Sequence, residues 1–232
     1  MHLAKCKKML RKLFSPDVVK RIITGTILGL TSGFVFLYLP PLITSLYFAV
    51  ILGIILISEW PKLYPVNSKT FWLLTPIYPV APFAFMISLN QDPVQRNFLF
   101  ALIVLISTFD TAAYVLGSMF GRSKIAPHIS PGKSWEGFIG GYLCATGGLA
   151  FLLWSNNTMQ DAWIIFGFAL LVCILGTTGD LFESWLKRKA AVKDSGALLP
   201  GHGGFLDRFD GIIFTVLCLF IFKNQLIKLF IA

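Results

Sequence analysis

Between Ser184 and Asp210 the chain reads SWLKRKAAVKDSGALLPGHGGFLDRFD. Apolar runs flank it, about 163–179 before and 211–231 after. Moving a charged side chain into hydrocarbon is costly, so charges are rare within spans and functional where they occur. A dense mixed-charge loop between two such runs therefore lies at a membrane surface, and the runs are spans. The loop combines carboxylates, lysines, arginines and a Gly-His-Gly-Gly turn, a composition suited to holding divalent cations and phosphates beside lipid.

The rest of the chain agrees. Of its 232 residues 56% are hydrophobic and 13% charged, with a mean hydropathy of +0.74. A soluble domain carries about 25% charged residues, so the expected fold is all-α, a polytopic membrane helix bundle. Taking roughly 20 residues per span, the apolar runs predict seven transmembrane helices near 22–39, 42–58, 70–89, 98–117, 137–155, 163–179 and 211–231. Pro76, Pro79 and Pro82 recur at every third position of the third span and disfavour a straight helix there. The chain divides into a cationic amphipathic segment 1–21, N-terminal spans 22–97 and a region 98–232 that contains the loop 180–210 and is expected to carry the function. The run Ile22 to Leu39 exceeds a signal core and no small-residue cleavage site follows it, so a retained span is expected. Cys6, Cys144, Cys173 and Cys218 lie singly, which indicates neither a zinc site nor a disulfide framework.

Charge sets the expected orientation. With the N-terminus in the cytoplasm, every one of the 20 basic residues except Arg96, Lys223 and Lys228 falls on the cytoplasmic side, as the positive-inside rule requires. Residues 3–14 form a cationic amphipathic stretch suited to the anionic inner leaflet. The net charge of +9 follows this topology and forms no single soluble basic face, which argues against a nucleic-acid partner.

Seven of the 11 acids, Asp110, Glu136, Asp180, Glu183, Asp194, Asp207 and Asp210, then lie in or beside the cytoplasmic ends of the later spans. Helical spacing puts Asp180, Glu183, Ser184, Lys187 and Arg188 on one face, though ordinary i,i+4 ion pairs would give the same pattern. Gly201, Gly203 and Gly204 free the backbone to approach a ligand. Asp207 and Asp210 begin the last span, where acids also serve as helix caps. Asp110 is an ionisable group inside a span and so a functional candidate. Lys133 and Glu136 belong to a second polar cluster on the same side.

Together these residues carry a resemblance. The pattern S-x-x-K-R-x4-K-D-x-G-x2-L-P-G-H-G-G-x2-D-R-x-D, Ser184 to Asp210, resembles the signature of phosphatidate cytidylyltransferases, or CDP-diacylglycerol synthases. The segments DTAAYVLGSMFGR from Asp110, KIAPHISPGKSWEG from Lys124 and GDLFES from Gly179 are similar to that family as well, so the likeness covers roughly 98–212. It implies a magnesium-dependent reaction of CTP with phosphatidate, giving CDP-diacylglycerol and pyrophosphate at the inner face of the cytoplasmic membrane, with two metal positions. A homodimer is compatible with the family.

On this basis Asp180, Glu183, Asp194, Asp207 and Asp210 are the expected metal ligands. Asp180, Asp207, Ser184, Lys187, Arg188, Lys193 and His202 are the expected catalytic residues. Asp110, Lys133, Glu136, Gly203, Gly204 and Arg208 are expected to bind nucleotide or headgroup. The alternatives are a CTP-dependent polyprenol or phytol kinase, a CDP-archaeol-type synthase and a small transporter. Charges clustered at one face disfavour the transporter.

Overall fold

Hydrocarbon offers backbone amides no partners, so apolar runs must close their own hydrogen bonds as helices. They do so in the computed structural model, which describes residues 27, 29–156, 158, 160–199 and 203–231. The amphipathic segment 3–14, with Cys6, and His202 lie outside the described residues. Helix α1 is Gly29–Tyr38, α2 Pro41–Leu63 and α3 Lys69–Leu89. Helix α4 is Pro93–Phe120, α5 Trp135–Ser155 and α6 Ala162–Lys189. Helix α7 runs from Leu206 to Leu219 and continues through a 3-10 turn, Phe220–Phe222, into Lys223–Ile231.

Six of these helices, α2 to α7, are long and apolar enough to cross a membrane. The chain is therefore a multi-pass membrane protein. The first expected span, 22–39, corresponds to α1, which is shorter, and the start of that run lies outside the described residues. A small antiparallel hairpin, β1 (Lys124–Ala126) with β2 (Ser130–Ser134), links α4 to α5.

Local chemistry sets the helix starts. Asp92 accepts hydrogen bonds from the Val94 and Gln95 amides ahead of Pro93 at the first position of α4, and Ser68 and Ser134 cap α3 and α5 through the Phe71 and Gly137 amides. The proline run does not break α3. Its helix widens into a π turn over Pro76–Val80, a local register in which missing N–H groups and ring clashes are tolerated. A second π turn, Ile55–Glu59, lies near the end of α2. Both turns direct a polar side chain inward, Tyr78 in α3 and Glu59 in α2.

Without a hydrophobic drive between helices in lipid, close packing depends on small residues. Helices α4 and α5 meet through Ala113 and Gly117 on one side and Gly137 and Gly141 on the other. A Cβ on Gly137 would lie 2.7 Å from the Ala113 carbonyl oxygen, and one on Gly141 2.9 Å from that of Phe109.

Two polar levels bracket the bundle. At one, Arg96 donates to the Phe36 and Leu39 carbonyls at the end of α1, Asn90 donates to the Pro41 carbonyl, and Lys223 reaches Gln95. The other level gathers the hairpin, the loop residues 190–199 and 203–205 and the ends of α2, α4 and α6. Gly137→Ala should lower the thermal midpoint of the detergent-solubilised protein, an overpacking loss of about 1–3 kcal/mol. Gly147→Ala, where the added methyl meets no atom within 4 Å, should leave the midpoint unchanged in the same melt.

Candidate active site

The last turns of α6 present Asp180, Glu183, Ser184 and Lys187 along one stripe, as their spacing dictates. Lys187 is buried, and its Nζ lies 2.6 Å from Asp207 Oδ1 and 3.3 Å from Glu183 Oε1. Asp207 stands in the first turn of α7. Its Oδ2 accepts from the Ser195 amide (3.0 Å), the Ser195 hydroxyl (2.8 Å) and the Gly204 amide (2.8 Å). Both of its oxygens are thus engaged, one by a cation and one by the loop. Gly203 sits at φ +78, and a Cβ there would come within 2.5 Å of that same Oδ2. Only glycine takes this left-handed turn without strain while the carboxylate occupies the space.

Asp180 is more open. Its side chain is 34% exposed, with Oδ2 2.7 Å from Lys133 Nζ of β2 and Oδ1 accepting from Ser184 Oγ at 3.2 Å. Lys133 lies 3.5 Å from the Thr177 carbonyl as well, tying the hairpin to α6. Asp110 of α4 has Lys133, Asp180 and Arg208 as charged neighbours. Asp210 of α7 is buried, with Asp180, Glu183, Asp110 and Lys133 around it. Carboxylates from three helices therefore meet at one level, linked through two lysines.

The inner wall of this cluster is incompletely satisfied. Among the described residues the fully buried Glu183 has the Lys187 ammonium at 3.3 Å and the Asp210 side chain beside it but no further hydrogen-bond donor, and the Tyr78 hydroxyl and Thr177 Oγ1 are buried without hydrogen-bond partners. Tyr78 faces Glu183, Asp210 and Asp180, with its ring 5.0 Å from that of Phe182. Buried polar atoms left this way in a native fold call for an ion, a water or a catalytic role.

Other expected residues take different places. Arg188 is exposed and points away from the stripe, its Nε toward the Ile129 carbonyl and Nη1 toward the Val192 carbonyl, both at 3.4 Å. Glu136 accepts from the Arg122 and Ser123 amides and so closes the turn after α4. Lys193 and Asp194 are exposed on the loop. The Asp194 Cβ lies 3.5 Å from where a Gly203 Cβ would be, close to Asp207. Arg208 is exposed beside Asp110. Among the described residues no three Asp, Glu, His or Cys side chains form a ready metal cage.

Sequence reasoning missed Glu59, Tyr78 and Ser195. Glu59 is fully buried and accepts from the Phe205 and Leu206 amides, each at 2.8 Å. An acid closing an apolar run was a usable signal, the same one that singled out Asp110.

A lipid-embedded bundle with buried carboxylates and lysines gathered at one end is the class of protein that this fold and site define. Residues 62–226 match the cytidylyltransferase family, and the chain belongs to it. It is similar to phosphatidate cytidylyltransferases of three bacteria. With that of Staphylococcus aureus (strain COL) it is 39% identical over 149 residues, 64% of this chain and 56% of that one. With that of Brucella melitensis biotype 1 it is 36% identical over 204 residues, 87% of this chain and 70% of that one. With that of Haemophilus influenzae it is 38% identical over 185 residues, 71% and 62%. The chain thus spans little more than half the length of the Staphylococcus relative.

Removing one member of a buried ion pair leaves the other uncompensated, at a loss of about 3–5 kcal/mol. Lys187→Met, which strips Asp207 and Glu183 of their shared cation, should show a loss of that order in denaturant unfolding in micelles. Lys133→Met should cost less, because its partner Asp180 is partly solvated.

Proposed function

We propose that the chain is a phosphatidate cytidylyltransferase, transferring the cytidylyl group of CTP to phosphatidate with release of pyrophosphate. The observation that carries this reading is the convergence of Asp110, Asp180, Asp210, Lys133 and Lys187 from separate elements at one polar level of a lipid-embedded bundle. Membership of the family supports it. CTP is water-soluble and a phosphatidate headgroup lies at the membrane surface, so a site of mixed charge between water and hydrocarbon suits both.

In the reaction a phosphate oxygen of phosphatidate forms a bond to the α-phosphorus of CTP. The bond from that phosphorus to the bridging oxygen breaks, and the electron pair leaves with pyrophosphate. Catalysis of such transfers is mostly positioning and neutralisation of charge. Lys133, held at the site by Asp180, and Arg208 near Asp110 are placed to attract phosphate oxygens. Lys187 stays locked between Asp207 and Glu183 and fixes the angle between α6 and α7. Asp180, with Ser184 bonded to it, presents the most accessible carboxylate.

The donor set fits magnesium, which takes oxygen ligands and commonly one or two carboxylates, with water and substrate phosphates completing its shell. Asp180, Asp210 and Glu183 are the residues that would hold it, Glu183 having, among the described residues, little beyond the Lys187 ammonium to engage its oxygens. When bound, the metal supplies charge neutralisation and in-line alignment, and a second position would clamp both entering and leaving oxygens.

The same level carries Lys62, Lys69, Arg122, Lys124, Lys133, Lys187, Arg188, Lys189, Lys193 and Arg208, whereas Arg96, Lys223 and Lys228 lie toward the other. The positive-inside rule supports a site facing the cytoplasm across the inner membrane, with the N-terminus on that side.

Purified protein given CTP, magnesium and phosphatidate should yield CDP-diacylglycerol and pyrophosphate in equal amounts, and chelation should abolish turnover. Release of CDP with a phosphorylated lipid would mean kinase chemistry instead. Asp180→Asn should lower turnover by about a hundredfold or more while leaving the melting curve of the micellar protein in place.

A further inference from the structure

We infer that Glu59, on α2 and outside the family-matched segment, is a positioning residue that clamps the described flanks of the glycine-rich loop, 195–199 and 203–206, and the first turn of α7 against the reaction centre. The inference rests on the reading of the site given above.

Glu59 lies just past the expected second span, where a bland role as an interfacial acid would leave it solvated. Instead it is fully buried at the end of a π turn. Oε1 accepts the Phe205 amide and Oε2 the Leu206 amide, both at 2.8 Å, and the Ser195 hydroxyl lies 3.4 Å from Oε2. These amides open α7, where donors have no intrahelical acceptor and a negative charge is favourable. The loop is shaped around the carboxylate. A Cβ on Gly204 would stand 2.5 Å from the Glu59 carboxyl carbon, and one on Gly196 2.9 Å from Oε1.

The clamp is coupled to the site through one hydroxyl. Ser195 Oγ donates to Asp207 Oδ2 at 2.8 Å while lying 3.4 Å from Glu59. Asp207 in turn holds Lys187. The loop is therefore gripped from two sides by two carboxylates on different helices. Glu59 sets where α7 begins, and that fixes Asp207 against Lys187 and Asp210 beside Asp180. It touches no reacting atom on this account and acts through the loop.

Glutamine at position 59 keeps the shape but offers one acceptor oxygen for two amides. Hydrogen bonds to charged groups contribute about 1.5–3 kcal/mol, which corresponds to about tenfold or more. Glu59→Gln should therefore raise hydrogen exchange at the amides of 195–206 about tenfold, with the cores of α4 and α5 as protected as before. With CTP and phosphatidate, kcat/KM for CTP should fall by a similar factor, with the thermal midpoint lowered by only a few degrees. Glu59→Asp, which keeps both acceptors on a shorter arm, should lie between. Ser195→Ala, a milder change, should loosen the loop less, and its effect should be non-additive with that of Glu59→Gln.

Unchanged loop exchange in Glu59→Gln would overturn the proposal, as would a rise spread evenly over the whole protein or additive effects of the two substitutions. Exchange is measured without substrate. A wild-type protein inert toward CTP and phosphatidate would thus overturn the proposed reaction while the clamp was still judged on its own data.

Discussion

A lysine without water needs negative partners, and Lys187 has two. Its ammonium lies between Asp207 on α7 and Glu183 one turn back on its own helix. Desolvated charges are tolerable only in good geometry with their remaining sites satisfied. The position of α7 against α6 is therefore not free to slide. Gly179 allows the two helices this approach: a Cβ there would lie 2.7 Å from the Asp210 carbonyl oxygen. Once that crossing is set, Asp210 falls beside Glu183 and Asp180. Asp180 reaches Lys133, and the hairpin carrying Lys133 is drawn over the top. The polar cluster is one linked structure hung from a single ion pair.

Much of this was legible from residue types and spacing. Apolar run lengths gave the spans, and the three- and four-residue steps from Asp180 to Lys187 gave a shared face that α6 realises. Arg188 shows the limit of that reasoning. It sits one residue beyond Lys187, a rotation of about 100° along the helix, which is enough to send it to the hairpin carbonyl instead of the stripe. Asp207 was read as a helix cap or a metal ligand, and in the structure one of its oxygens accepts the Ser195 and Gly204 amides while the other holds Lys187. The hairpin was not legible, because strands of three and five residues carry too little pattern to be distinguished from a polar loop.

Glu59 closed an apolar run, a signal that went unused, and Tyr78 lay hidden among the prolines of α3. Each belongs to a π turn, where the helix gains a residue and side-chain phase shifts relative to a 3.6-residue period. A periodicity reading carried through such a turn assigns the following residues to the wrong face. The prolines at 76, 79 and 82 announced a departure from straight helix but not its form. A break would have exposed unpaired carbonyls to lipid, whereas a widened turn keeps most of them bonded and turns Tyr78 toward the carboxylates. The two irregular turns face the same cluster, consistent with the tendency of π turns to occur at functional sites.

Depth then decides what such a cluster can do. Asp110 lies ten residues from the end of α4 and Asp180 nine from the end of α6, about 15 Å along the axis at a rise of 1.5 Å per residue. In a helix just long enough to span, that would put both carboxylates near mid-membrane. These two helices have 28 residues each, about 42 Å, against a hydrocarbon core of about 30 Å. Excess length at the polar end lifts the carboxylates to within a few ångströms of the interface by the same arithmetic. The hairpin, the loop residues 195–199 and 203–205 and the charged end of α6 lie at that protruding part, and they need no lipid around them. The extra turns thus let one set of helices be apolar below, where they meet acyl chains, and ionic above, where phosphates and water are present.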